Sequence, residues 1–281
     1  MIPKTFRLGG THEINRLGYG AMRLTGKGVW GEPASRDEAK NVLRRVVELG
    51  VNFIDTADSY GPAVSEPLIG EALAPYPAGL VVATKAGLTR QGSNKWLPVG
   101  RPEYLVQQVE MSLRLLKTDI IELWQLHRID AKVPVEESLG VIADLQKQGK
   151  IRHIGLSEVK PHEIDQARKV VEIVSVQNMY NVSERQHEDV LKYCDANNIA
   201  FIPWYPVANG KLARPGGKLD EVSKRHGATV SQLSIAWLLH RSPVMLPIPG
   251  TSSVAHLEEN VKAADIELSP AEMQEIETAI V

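Results

Sequence analysis

Residues 101–127, RPEYLVQQVEMSLRLLKTDIIELWQLH, contain the change of pattern that decides the fold class. The first part has apolar residues at helical spacing, and Pro102 stands in the first turn, where its missing N–H costs least. Near residue 120 the pattern becomes a short apolar run that ends at His127. The stretch therefore predicts an amphipathic helix followed directly by a buried strand, as in an α/β protein.

The same alternation extends over the whole chain. A helical pattern with a Ser35 N-cap ends at Gly50, and another begins at Pro134 and ends at Gly149. Eight strand candidates lie near 18–22, 52–55, 80–85, 120–126, 151–155, 174–177, 199–203 and 244–248. Eight such units predict a single domain over residues 1–281 that folds as a (β/α)₈ TIM barrel.

Two further features complete the predicted fold. The opening stretch TFRLGGTHEINRLG favours an N-terminal β-hairpin through Gly9-Gly10. A doubly wound open sheet is the alternative, but it requires a glycine-rich turn after the first strand, and RLGYGAM at 16–22 lacks that spacing. The largest irregular stretches, 86–101 and 205–218, are expected to be loops on the active face.

Composition limits the possible partners and compartment. Lys and Arg number 32 against 34 Asp and Glu, a net charge of -2, which argues against nucleic-acid or anionic-membrane binding. The single cysteine, Cys194, cannot form an internal disulfide, and no metal-ligand spacing occurs. With no signal-like or membrane-spanning run, we expect a cytoplasmic protein that is a monomer or a weak homo-oligomer and holds no metal.

Four polar residues stand at or just after predicted strand ends: Asp55, Tyr60, Lys85 and His127. Each alone is compatible with a structural role, such as a cap or a turn. The strand ends of a barrel converge, however, so the four side chains are expected to surround one point. A lysine held by Asp55 near Tyr60 would lower the phenol pKa toward neutrality and make it a proton donor to a carbonyl oxygen.

The motifs FIDTADSYG, VVATKAG, WQLHRID, HIGLSEV, VQNMYN and IPGTSSVAHLEEN resemble, in order and spacing, those of the aldo-keto reductase superfamily. The resemblance implies NADPH-dependent reduction of a small aldehyde or ketone, with Tyr60 as general acid and His127 orienting the carbonyl. INRLGYGAMRL, SVQNMYN and LPIPGTSS are similar to the bacterial branch with pyridoxal reductases, which implies conversion of pyridoxal to pyridoxine.

The resemblance also implies a cofactor site. Ser157, Glu158 and Gln177 would bind the nicotinamide amide, although Glu158 replaces the usual Asn, and Trp204 would stack on the ring. The complete implied set is Gly20, Ala21, Met22, Ser157, Glu158, Gln177, Trp204, Tyr205, Pro206, Val207, Gly210, Lys211, Gly250, Thr251, Ser252, His256, Glu259 and Asn260.

Cofactor preference and substrate contacts follow from the same loops. Relatives often have Lys at the position of Gly250 and Arg at that of His256, so NADP(H) is preferred and NAD(H) is not excluded. Met22, Trp30, Trp96 and Arg128 would line the substrate pocket.

Two other functions remain open from the sequence. Lys85 at a barrel strand end is also where the Schiff-base lysine of a class I aldolase would stand. A non-turnover NADP(H)-bound sensor or regulatory subunit would use the same fold.

Overall fold

The computed structural model describes residues 3–206 and 218–279. Its strands are β1 (Thr5–Leu8), β2 (His12–Asn15), β3 (Tyr19–Gly20), β4 (Phe53–Asp55), β5 (Val81–Ala86), β6 (Leu88–Arg90), β7 (Trp96–Pro98), β8 (Ile121–Leu126), β9 (Ile151–Ser157), β10 (Ile173–Met179) and β11 (Ala200–Trp204). Its helices are α1 (Arg36–Glu48), α2 (Ser65–Leu73), α3 (Pro102–Leu116), α4 (Val135–Lys147), α5 (Pro161–Arg168), α6 (Glu188–Asn197), α7 (Lys218–Arg225), α8 (Val230–Arg241), α9 (Val254–Val261) and α10 (Pro270–Thr278).

Seven parallel strands form one curled sheet in the order β11-β10-β9-β8-β5-β4-β3. Residues 244–249 close it, because Phe201 N donates to Val244 O at 2.8 Å while Gly18 N donates to Pro247 O at 3.0 Å. This segment was predicted as the eighth strand, but only Met245 forms a β-bridge. Pro247 and Pro249 have no N–H to donate, so a regular ladder cannot form there. The fold is a (β/α)₈ barrel, as predicted.

The predicted N-terminal hairpin is confirmed, with β1 and β2 antiparallel and Phe6 opposite Ile14. It lies against the starts of the barrel strands, where His12 Nε2 is 2.9 Å from Glu122 Oε2 and Thr11 Oγ1 is 2.6 Å from His153 Nε2. The hairpin therefore covers the end of the barrel opposite to the strand carboxyl ends, and it leaves the expected active face open.

Local signals position the helices close to their predicted bounds. The Ser35 hydroxyl accepts from Glu38 N at 3.2 Å, so α1 begins where the cap was predicted. Gly50, at a φ of 79°, follows the end of α1 in a backbone conformation that glycine adopts without strain. None of the helices in the described ranges is long and apolar enough to span a membrane.

The stretch 86–101 is not a simple loop, contrary to the prediction. It contains the antiparallel hairpin β6–β7, with Arg90 opposite Trp96. Arg90 Nη1 donates to Val29 O at 2.5 Å and to Ser59 O at 2.8 Å, and these bonds join the hairpin to two neighbouring loops. The hairpin therefore forms a wall above the carboxyl ends of β4 and β5.

Candidate active site

A buried ion pair lies at the centre of the active face. Lys85 Nζ donates to Asp55 Oδ1 at 2.5 Å and to Thr56 O at 2.8 Å. The side chains are 0% and 2% exposed. Burial lowers the pKa of Lys85 while the charge of Asp55 opposes that shift. A fully buried amine with two hydrogen bonds does not favour the Schiff-base alternative, in which the amine must attack a substrate carbonyl.

Two amides hold the second oxygen of Asp55. Gln125 Nε2 donates to Asp55 Oδ2 at 3.1 Å, and Gln177 Nε2 donates to the same atom at 2.9 Å. Gln177 was predicted to bind the nicotinamide amide; here its amino group contacts Asp55 at the base of the site. The carboxylate orientation is thus fixed from β8 and β10 as well as by Lys85 from β5.

Tyr60 lies in the turn after β4 and faces the ion pair. Its ring centroid is 5.3 Å from Lys85 Nζ, 5.9 Å from the His127 ring and 6.4 Å from the Trp96 ring. The residue is only 6% exposed because these side chains surround it. Within the described residues no hydrogen bond engages its hydroxyl, which remains able to donate.

The expected lowering of the Tyr60 pKa is wrong for this structure. Burial raises the pKa of Tyr60 well above its ordinary value of 10.0, the charge of Asp55 raises it further, and Arg128 acts in the opposite direction. The physical reason is that Asp55 already balances the Lys85 charge at contact distance, so little net positive charge remains to stabilise a phenolate. Tyr60 is therefore a protonated phenol at neutral pH.

His127 follows β8 and is 6% exposed. Burial lowers its pKa well below 6.5, and the positive charges of Lys85, Arg128 and Arg90 lower it further, so the ring is neutral at pH 7. His127 Nδ1 is 3.4 Å from Ser59 Oγ. When that hydroxyl donates to Nδ1, the ring proton lies on Nε2, which can then donate. Ser59, in the turn after β4, thus contacts the imidazole.

A buried pair of carboxyl groups lies behind this cluster and was not found from the sequence. Asp58, in the turn after β4, is 6% exposed, and Glu66 in α2 is 1% exposed. Burial, followed by mutual repulsion with Glu66, raises the pKa of Asp58 well above 3.8. Tyr104 donates to Asp58 Oδ2 at 3.1 Å and Thr84 donates to Glu66 Oε1 at 2.6 Å. Both acids flank the strand that carries Lys85.

Arg90 holds the aromatic wall of the pocket. Its guanidinium carbon lies 3.6 Å from the Trp96 ring centroid and 5.6 Å from that of Trp30. Trp96 in turn contacts Tyr60 and His127 edge-on. Met22 lies in a short 3-10 helix, Ala21–Leu24, after β3. The sequence did not predict this role for Arg90, because no motif or periodicity distinguishes a single arginine in an irregular stretch.

Arg128 is partly buried directly beside the cluster. Its Nη1 atom donates to His127 O at 2.6 Å and to Ser157 Oγ at 3.0 Å. Arg128, which was predicted to contact the substrate, and Ser157, which was predicted to contact the cofactor, are therefore neighbours in space. Burial lowers the pKa of Arg128, although arginine remains charged at neutral pH.

Glu158 has a role that the sequence did not indicate. Its Oε1 atom accepts from Trp204 Nε1 at 2.6 Å and from Met179 N at 2.7 Å. Glu158 also adopts a φ of 55°, which directs its side chain across the ends of β10 and β11. The carboxylate thus fixes the indole of Trp204, which is half-buried and is the predicted nicotinamide-stacking residue.

The other predicted cofactor residues lie around the same rim, as far as the structure describes them. Asn181 Nδ2 donates to Tyr205 O at 3.1 Å, and Pro206 follows as a buried residue. Val207, Gly210 and Lys211 lie outside the described residues. Gly20 and Gly250 approach closely, since a Cβ on Gly250 would come within 2.6 Å of Gly20 O. Ala21 O accepts from Ser65 Oγ at 3.4 Å.

Helix α9 and the residues directly before it contain the last group of predicted cofactor residues. Tyr19 OH donates to Thr251 O at 2.6 Å, and the Ser253 hydroxyl caps the helix by accepting from His256 N at 3.4 Å. Ser252 and His256 are exposed. Asn260 is half-buried on the same helix, whereas the Glu259 carboxylate already accepts from Thr229 Oγ1 at 2.7 Å.

The model of the aldo/keto reductase family matches residues 16–281. Pyridoxine 4-dehydrogenase of Escherichia coli (strain K12) is 44% identical over 275 residues, which cover 96% of each chain. The uncharacterized oxidoreductase C215.11c of Schizosaccharomyces pombe is 56% identical over 256 residues, 91% of this chain and 83% of that protein.

A solved structure shares the fold. The aldo-keto reductase of Klebsiella pneumoniae in complex with NADPH superimposes with a TM-score of 0.84 at 26% identity, over 99% of this chain and 95% of that one.

Proposed function

The chain belongs to the aldo/keto reductase family, and from that premise we propose that it uses NADPH to reduce an aldehyde or ketone, with Tyr60 protonating the carbonyl oxygen. The proposal rests on the state of the Tyr60 hydroxyl. It belongs to a protonated phenol, it makes no hydrogen bond within the described residues, and it lies beside a neutral imidazole. Two neutral donors at one point suit a carbonyl oxygen that gains negative charge.

The residues around this point fit a nicotinamide. Trp204 offers an indole face fixed by Glu158, and Ser157 adds a buried hydroxyl at the end of β9. When bound, the reduced cofactor supplies the hydride. The exposed His256 and the hydroxyl-rich start of α9 support a phosphate contact there, and hence a preference for NADP(H) over NAD(H).

Each catalytic residue has a separate task in this proposal. Tyr60 donates its proton to the substrate oxygen, and His127 donates a hydrogen bond to the same oxygen and so orients it. The Lys85 ammonium, 5.3 Å from the Tyr60 ring centroid, stabilises the phenolate that forms as the proton leaves. Asp55 holds Lys85 in place and keeps it charged, since an unpaired buried lysine tends to lose its proton.

Pyridoxal is the first substrate that we propose, with pyridoxine as the product. A relative at 44% identity is named pyridoxine 4-dehydrogenase, and the match covers 96% of both chains. A flat aromatic aldehyde also suits a pocket walled by Trp96 and Trp30.

The test is NADPH oxidation by the purified protein with pyridoxal, methylglyoxal, benzaldehyde and a ketosteroid. We expect turnover of the aldehydes, with the highest kcat/KM for pyridoxal. Turnover of benzaldehyde but not of pyridoxal would refute pyridoxal as the substrate, whereas the proposed carbonyl reduction would stand. Binding of NADPH with no turnover of any compound would refute the reductase and favour a sensor, and a borohydride-stable substrate adduct on Lys85 would favour an aldolase.

A further inference from the structure

The charges around the proposed reacting centre do not balance. Lys85 and Asp55 neutralise each other at 2.5 Å, and Tyr60 and His127 are both neutral at pH 7. Arg128 is the next charged group, and its field acts on the pKa of Tyr60, Lys85 and His127. Arg90 also acts on the pKa of His127, but its guanidinium lies on the Trp96 ring and donates to Val29 O and Ser59 O. The positive charge of Arg128 therefore remains beside the point where the substrate carbonyl would lie.

The contacts of Arg128 leave most of its donors without a charged partner. Both of its hydrogen bonds come from Nη1 and go to neutral oxygens, His127 O and Ser157 Oγ. Within residues 3–206 and 218–279 no carboxylate lies within 4.0 Å of the guanidinium. The charge of Glu158 raises the pKa of Arg128, but Glu158 Oε1 accepts from Trp204 Nε1 and Met179 N, and Glu158 Oε2 lies 3.7 Å from His187 Nε2. Guanidinium has five N–H donors in a plane that matches two oxygens of an anion.

The position of Arg128 limits where such an anion would lie. The residue directly follows His127 and bonds its carbonyl oxygen, so the guanidinium is tied to the same strand end as the imidazole. A substrate oxygen that contacts Arg128 while the carbonyl contacts Tyr60 and His127 must be close to that carbonyl in the substrate. An oxygen attached one or two carbons away from the carbonyl carbon satisfies this condition.

We propose that Arg128 binds an oxyanion next to the substrate carbonyl, so that the preferred substrates are ortho-hydroxy aromatic aldehydes or 2-oxo acids. This inference rests on the proposed carbonyl reduction. Pyridoxal fits the first class, because its ring hydroxyl is on the carbon adjacent to the one that bears the aldehyde. The guanidinium stabilises the ionised oxygen and fixes the ring so that the aldehyde faces Tyr60.

The test uses matched substrates. Salicylaldehyde is compared with 2-methoxybenzaldehyde, which has the same substituent position but cannot ionise, and phenylglyoxylate is compared with its methyl ester. The proteins are the wild type, Arg128→Gln, Arg128→Lys and the control Arg44→Gln on the exposed surface of α1. NADPH-dependent kcat/KM is measured for each pair.

For the wild type we expect the ionisable member of at least one pair to be preferred. A preference for salicylaldehyde identifies a phenolate as the anion that Arg128 binds, and a preference for phenylglyoxylate identifies a carboxylate. Arg128→Gln should lower that kcat/KM by about 10- to 100-fold, as expected for loss of a hydrogen bond to a charged group. Because Arg128 also bonds His127 O and Ser157 Oγ, its loss can lower turnover of the methoxy and ester compounds as well. The diagnostic quantity is therefore the ratio of the two kcat/KM values within that pair, which should fall toward one in Arg128→Gln. Arg128→Lys should retain part of the preference, and Arg44→Gln all of it.

Two results would overturn the proposal. One is that the wild type does not prefer the ionisable substrate in either pair, a result that does not depend on the folding of any variant. The other is an equal loss for both members of each pair in Arg128→Gln, above all with weaker NADPH binding, since Arg128 would then act on the cofactor through Ser157.

A binding measurement separates this proposal from the proposed function. Phenylglyoxylate and its methyl ester are titrated calorimetrically into the NADP⁺-bound protein, where no reduction occurs. Tighter binding of the acid that Arg128→Gln abolishes, in a protein without turnover, would refute the reductase and support the anion site. Turnover of benzaldehyde with equal binding of acid and ester, and no salicylaldehyde preference, would refute the anion site alone.

Discussion

Lys85 Nζ and Asp55 Oδ1 are 2.5 Å apart at the carboxyl end of the barrel, and neither side chain is more than 2% exposed. The pairing register explains the contact, because Asp55 is opposite Ala83 and Lys85 is two residues further along β5 on the same side of the sheet. Two charges so deeply buried are stable only as a pair. The pair therefore belongs both to the stability of the barrel and to the proposed proton transfer.

Asp55→Asn should destabilise the protein strongly while keeping the side-chain volume. Removal of one partner of a buried ion pair costs about 3–5 kcal/mol, because the other charge is left without compensation. The free energy of unfolding in urea at pH 7 measures this cost. The control is Asp144→Asn, which breaks the exposed Lys147–Asp144 pair and should change stability by less than about 0.5 kcal/mol. Equal effects of the two substitutions would show that the buried pair contributes no more to stability than the exposed one.

The pH profile of benzaldehyde reduction should be flat between about pH 6.5 and pH 9, because the active forms are protonated Tyr60 and neutral His127. The pKa of Tyr60 is raised, so its proton is lost only above the ordinary value of 10.0. The pKa of His127 is lowered, so its ring gains a proton only below 6.5. The measurement is kcat/KM across this range. A limb with its midpoint between pH 6.5 and pH 9 would mean that another group controls the reaction.

Glu158→Ala should weaken NADPH binding by about tenfold, since the Trp204 indole loses a hydrogen bond to a charged acceptor, worth about 1.5 kcal/mol or more. Glu158→Gln retains an oxygen that accepts from Trp204 Nε1 and Met179 N, so its Kd should stay within about threefold of the wild type. Titration calorimetry gives both values. Unchanged affinity in Glu158→Ala would show that the orientation of Trp204 does not matter for the cofactor.

His256→Arg should tighten NADPH and leave NADH unchanged. His256 is exposed near the start of α9, so a new ion pair with the 2'-phosphate is worth up to about 1 kcal/mol and the Kd should fall about two- to fivefold. The effect should diminish at high salt. Gln274→Arg, which adds the same charge on α10, is the control and should change neither Kd. An equal increase in affinity for NADH would show that residue 256 does not contact the 2'-phosphate.

The sequence predicted the barrel and the meeting of Asp55, Lys85 and His127 because each ends an apolar run, and strand ends converge in this fold. It also predicted the hairpin at Gly9-Gly10. The closing segment was less regular than expected, since Pro247 and Pro249 interrupt the ladder.

The environment of Tyr60 was not predictable, because it depends on residues far away in the chain. Trp96 reaches the phenol only through the hairpin β6–β7, which Arg90 joins to two other loops. Glu158 and Trp204 are 46 residues apart, and a strand pattern does not indicate their contact. The raised pKa of Tyr60 follows from this packing.

The role of Tyr60 as proton donor is tested by Tyr60→Phe, which removes one oxygen and keeps the ring that packs against Trp96 and His127. We expect kcat for benzaldehyde to fall by about 10²- to 10⁴-fold, the usual contribution of a general acid. The Kd for NADPH should stay within about threefold of the wild type, a change of less than 1 kcal/mol. A variant that turns over within about threefold of the wild type, an equally small change in barrier, would show that Tyr60 is not the proton donor.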